Sequence, residues 1–60
     1  MNVMDECKLT LIEEVDMGFE KRYRFRAEKN GVSVIINIGA TSLEEAAGRA
    51  RAMAFKYLRC

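Results

Sequence analysis

The chain has 60 residues, half of them hydrophobic and 32% charged, with no proline, tryptophan or histidine. A chain this short buries only about 60% of the surface its unfolded form exposes. That excludes a second core or an enclosed active-site cleft. Ten basic and nine acidic residues leave a net charge of +1, short of the clearly basic total of a typical nucleic-acid domain.

The charges are segregated along the chain: residues 5–20 hold six acids and one lysine, and residues 21–29 five bases and one acid. Residues 1–6 show no period and read as a flexible N-terminus ahead of a single domain spanning 7–60. This start is acidic and lacks the apolar stretch of a signal peptide. No apolar run reaches the ~20 residues of a membrane span. A cytoplasmic protein with no membrane partner is expected, and with it two reduced, unpaired thiols at Cys7 and Cys60.

From Cys7 the chain alternates, with Cys7, Leu9 and Leu11 on one side and Lys8, Thr10 and Ile12 on the other. A period of two predicts a half-buried strand, ended by turn chemistry over residues 14–18. A second strand follows, with Phe19, Tyr23, Phe25 and Ala27 on its apolar side and Arg22, Arg24 and Arg26 opposite. Asn30-Gly31 then predicts a two-residue type I′ hairpin, because both residues accept positive φ at least cost. That turn pairs Lys29 with Val32 and, further along, Ala27 with Val34, Phe25 with Ile36 and Tyr23 with Ile38. A slip of one residue would set the aromatics against the polar set.

The third strand, Val32–Ile38, runs to Gly39. Thr41-Ser42-Leu43-Glu44 reads as a capping box centred on the Thr41 hydroxyl and Glu44. Leu43, Ala46, Ala47, Ala50, Met53, Ala54, Tyr57 and Leu58 recur at helical spacing and form one apolar face. About eighteen helical residues at ~1.5 Å each match a strand of about eight at ~3.3 Å. The predicted fold is α+β: a two-layer β-β-β-α domain, a three-stranded antiparallel meander with one C-terminal helix on one face. Such a meander brings Cys7 and Cys60 to one edge, so a pairing of the two stays open beside the favoured reading of two free thiols with Cys7 partly buried.

Catalysis has little to work with. No histidine is present, which removes the commonest general base and metal ligand. The two cysteines do not form a metal signature. Glu13-Glu14 and Glu44-Glu45 are chain neighbours whose side chains diverge, so neither pair is a carboxylate dyad. A non-enzymatic module with no cofactor, metal or small-molecule substrate is expected.

The candidate binding residues are Arg22, Arg24 and Arg26 on the open face, with Lys8 and Asn37 beside them. Arginine matches phosphate or carboxylate through a bidentate fork, and the pattern supplies this row with no acidic cross-strand partner. The same row also reads as a solvated face whose long stems cover the sheet. Ile12 and Ile35 point away from the expected helix and are candidate contacts of a homodimer, the usual remedy for a small core.

Tyr23-Arg24-Phe25-Arg26, Asn30-Gly31 and Gly39-x-Thr41-x-x-Glu44-Glu45-Ala46 together resemble the three-stranded-sheet DNA-binding domains of plant ethylene-response factors and the arm-type domains of phage integrases. This resemblance implies an open sheet that enters the major groove, with Arg22, Arg24 and Arg26 at bases and phosphates. The Phe-Arg and Asn-Gly portion is also similar to YegP-like proteins, and Thr41–Ala47 to the helix entry of HicB-type antitoxins. Two partner classes stay open. One is nucleic acid. The other is an acidic protein surface, met by a short phage or mobile-element accessory or inhibitor protein of the anti-CRISPR kind.

Overall fold

A computed structural model describes residues 7–60; the expected flexible segment 1–6 lies outside the described residues. Strands β1 (Lys8–Asp16), β2 (Lys21–Lys29) and β3 (Val32–Ala40) form an antiparallel sheet in the order β1-β2-β3, and helix α1 (Leu43–Leu58) packs across one face. This is the predicted α+β architecture.

The β2–β3 hairpin has the predicted register throughout, from Lys29 opposite Val32 to Tyr23 opposite Ile38. Its turn residues take φ of 53° at Asn30 and 81° at Gly31, the left-handed values a type I′ turn requires. On the helix side, Tyr23, Phe25 and Ala27 of β2 and Ile36, Ile38 and Ala40 of β3 are buried against Ala46, Ala50 and Ala54 of α1. Alanines every fourth residue form a shallow stripe, so the helix backbone lies close on the aromatic and isoleucine columns. The Tyr23 and Phe25 rings stack at 6.4 Å between centroids. Burying each such side chain is worth about 1.5–3 kcal/mol.

β1 departs from the simple alternation. It uses nine residues, Lys8–Asp16, against eight of β2, Lys21–Glu28, and the extra residue is absorbed between Leu11 and Glu13. Both ends of the strand constrain the register. Leu9 and Leu11 face the helix side opposite Ala27 and Phe25. At the far end the Asp16 carboxylate accepts from the Gly18 N–H at 2.9 Å, and the Met17 N–H donates to the Glu20 carbonyl at 2.8 Å. That turn fixes Asp16 opposite Lys21. The one-residue mismatch becomes a β-bulge at Ile12. The turn therefore lies at residues 17–20 rather than 14–18.

The helix rests on β3 and β2 and leaves β1 at the margin. Several residues expected in the core are consequently exposed. Leu11 is 39% accessible, and Phe19, expected on the apolar side of β2, sits in the β1–β2 turn at 83%. Leu43 and Tyr57 have the right helical phase but lie near opposite ends of α1, where they are half exposed.

The helix start also differs from the expectation. Ser42, not Thr41, is the N-cap: its hydroxyl accepts from the Glu45 N–H at 3.2 Å. The returning carboxylate belongs to Glu45 rather than Glu44, and it takes both the Thr41 N–H and the Thr41 hydroxyl at 3.0 Å. β3 continues through Ala40, so the cap moves one residue along the chain. At the other end Arg59 adopts left-handed φ of 60° and returns its N–H to the Phe55 carbonyl at 2.9 Å. Lys29 Nζ donates to the Arg59 carbonyl at 2.6 Å and ties the helix end to the hairpin.

The expected free thiols are instead a disulfide, Cys7–Cys60, with Cα atoms 5.3 Å apart, within the usual range for such bridges. The meander accounts for the proximity. The start of β1 and the end of α1 share one end of the domain, and Lys29–Arg59 holds the same end from the neighbouring strand.

Candidate binding face

The sheet face opposite the helix carries Arg22, Arg24 and Arg26, all exposed, as alternation along a central strand dictates. Asn37 stands opposite Arg24 and Ile35 opposite Arg26. Lys8 stands opposite Glu28, and Thr10 opposite Arg26. Ile12, in the bulge, and Ile35 are 45% and 52% accessible. All seven residues singled out from the sequence are therefore exposed, and the sheet gathers the five polar ones with Ile35 on the open face.

The expected lack of acidic partners does not survive. Beyond the bulge the parity of β1 inverts, which brings Glu13 opposite Arg24 and Val15 opposite Arg22 on the open face. Glu13 Oε1 lies 3.6 Å from Arg24 Nη1. Arg24 Nε donates to Asn37 Oδ1 at 3.3 Å. Arg22 Nε donates to Glu20 Oε2, also at 3.3 Å. Glu20 reaches this position because residue 39 is glycine: a Cβ there would stand 3.1 Å from the same carboxylate oxygen. Among the described residues Arg26 has no ion pair.

Each exposed pair adds little stability, in the range of about 0–1 kcal/mol. Their effect is orientation. The Nε atoms of Arg22 and Arg24 face Glu20 Oε2 and Asn37 Oδ1, and the Arg22 side chain stays largely exposed. Glu13, Val15, Arg22, Arg24 and Asn37 line a depression of about 360 Å³. Glu13, Val15 and Glu20 were not singled out from the sequence as site residues. The adjacent apolar pair Leu11-Ile12, which breaks the alternation of β1, is the signal that could have revealed the inversion.

On the helix side the inversion leaves Glu14 opposite Tyr23 and near Lys21, with its carboxylate 3.4 Å from Lys21 Nζ. The hydrogen bond and charge of Glu14 raise the Lys21 ammonium above its ordinary pKa. Hydrogen bonds from the Thr41 N–H and hydroxyl, with the nearby Arg49 charge, hold the Glu45 carboxyl below its ordinary value.

Among the described residues no group of three or more potential metal ligands converges, and no helix is long and apolar enough to cross a membrane. Compared with known protein families, curated proteins and solved structures, the chain matches none.

Proposed function

We propose that the chain is a small non-enzymatic binding module that recognises an acidic protein surface through the open face of its sheet. One observation carries this reading: Arg22 and Arg24 are held by Glu20 and Glu13, while Ile12, Val15 and Ile35 lie exposed. Carboxylates on the face offset much of the positive potential that phosphate neutralisation needs. Arginine is enriched in protein interfaces and recurs there as an anchor. Pre-orientation lowers the conformational entropy lost when a carboxylate docks. A small accessory or inhibitor protein of a phage or mobile element would use such a face.

The unbroken arginine row of β2 also favours a nucleic-acid partner, and one experiment separates the two readings. The wild type and Arg22→Gln/Arg24→Gln/Arg26→Gln are compared in nuclease-treated pull-downs from the native host and in titrations with duplex and single-stranded oligonucleotides. The protein reading expects a nuclease-resistant protein partner that the triple variant loses, and no salt-steep oligonucleotide affinity. An oligonucleotide affinity whose log–log salt slope flattens by about three in the variant would support nucleic acid instead, at about one unit per phosphate contact. A triple variant that keeps every wild-type interaction would reduce the row to a solvated surface.

A further inference from the structure

The two outer edges of the sheet differ in how they meet solvent. β1 is bulged at Ile12 and carries Glu13, Glu14 and Asp16, features that discourage pairing with another strand. β3 is nine residues, VSVIINIGA, with no charge, no proline and no register shift against β2. A long, flat, uncharged apolar edge is a template for strand addition.

Hairpin geometry identifies which backbone groups of β3 are free. The residues bordering a two-residue turn, here Lys29 and Val32, exchange both ladder hydrogen bonds, and the pattern then alternates. Val32, Val34, Ile36, Ile38 and Ala40 therefore bond inward to β2, and the residues between them direct N–H and C=O outward. Gly39 fits this alternation, since its carbonyl is taken by Arg49 Nη1 at 2.9 Å. That contact closes the edge at one end, and the Asn30-Gly31 turn closes it at the other. The free stretch is Ser33, Ile35 and Asn37, symmetric about Ile35.

We infer that β3 pairs antiparallel with β3 of a second copy of this chain, about a two-fold axis at Ile35. Ser33 then meets Asn37 of the second copy, and Ile35 meets its own counterpart, so every free group of the stretch finds a partner. No charged residue opposes another across the new seam. Two half-exposed Ile35 side chains, each 52% accessible, cover one another on the open face. Val32, 54% accessible, meets Ile38 of the second copy on the helix side. An axis perpendicular to the sheet leaves both helices on one side and both arginine rows on the other. The result is a continuous six-stranded open face with an Ile35 pair at its centre, flanked by Arg26 from each copy. This pairing rests on the backbone edge of β3 and takes Ile35 out of the proposed binding face, leaving the arginine row and Val15 exposed.

The test is sedimentation equilibrium of the full oxidised chain across the micromolar range, with amide hydrogen exchange on the same samples. The expected result is twice the chain mass, together with protection of the Ser33, Ile35 and Asn37 amides that rises with concentration. Ile35→Lys sets two ammonium groups opposite each other and should give the single-chain mass with an unchanged far-ultraviolet spectrum. Ile35→Val should remain dimeric. A single-chain mass at every concentration would overturn the inference. So would a wild-type dimer whose Ser33, Ile35 and Asn37 amides exchange freely, or one that persists as a covalent pair on a non-reducing denaturing gel.

Discussion

Cys60, two residues beyond the end of α1, is bonded to Cys7, one residue before β1. The bridge spans a sequence separation of 53 residues and covalently joins the helix end to the strand that the helix covers least. In the chain-entropy description, closing a loop of that length is worth about 4 kcal/mol. A core of this size rarely supplies more than ~3–5 kcal/mol. The reduced chain and Cys60→Ser should therefore melt far below the oxidised wild type, with much of the folded population lost at 37 °C. Coincident melting curves in oxidant and reductant would show that the bridge contributes nothing.

The cap at Ser42 gives a prediction with a definite order. Ser42→Ala removes the acceptor of the Glu45 N–H and should cost about 0.5–2 kcal/mol. Thr41→Ala keeps its own N–H bond to the Glu45 carboxylate and loses only the hydroxyl contact, so it should cost less. Chemical denaturation of the two variants checks the order, and the reverse order would place the cap at Thr41.

Glu45 also sets a pH dependence. Its folded pKa lies below the ordinary glutamate value, chiefly through the Thr41 N–H and hydroxyl. Stability from this group is thus fully present above the ordinary value and is lost as pH falls through the lower, folded one. Glu45→Gln should be less stable at neutral pH, and its deficit should shrink as acid is added. Denaturant midpoints from pH 7 down to about pH 3 read this directly; a deficit that stays constant would remove the carboxylate from the account.

Two glycines should respond oppositely to a side chain. Gly31 sits at φ of 81° with open space around its Cα, so Gly31→Val is penalised by backbone strain and should cost more than ~1 kcal/mol. Gly39 has no such conformation, and the three atoms nearest to a Cβ there all belong to the flexible end of the Glu20 side chain. Gly39→Ala should leave stability within about 0.5 kcal/mol while displacing Glu20 and releasing Arg22 from its 3.3 Å contact. Thermal melts measure the first effect, and Arg22 Nε chemical shift the second. A large loss of stability in Gly39→Ala would mean that the strand itself cannot accept a side chain.

Features that depend on neighbours along the chain could be read from the residues alone. Asn30-Gly31 set the hairpin, and period-two alternation then carried the register from Lys29–Val32 to Tyr23–Ile38. The same alternation put Arg22, Arg24 and Arg26 on one face, and helical spacing brought Ala46, Ala50 and Ala54 onto the sheet. The remaining features emerge from the packed fold, because each is a compromise between segments distant in sequence. The bulge at Ile12 arises from a one-residue mismatch between the core-facing phase of Leu9 and Leu11 and the turn at residues 17–20, and no single segment contains both terms. It is that bulge which places Glu13 against Arg24. Likewise, Leu11 and Tyr57 have apolar phases that predict burial, yet burial needs a covering surface: the helix rests on β3 and β2 and leaves Leu11 on β1 uncovered, and Tyr57 lies near the end of α1. The meeting of Cys7 with Cys60 depends in the same way on where α1 ends over the sheet.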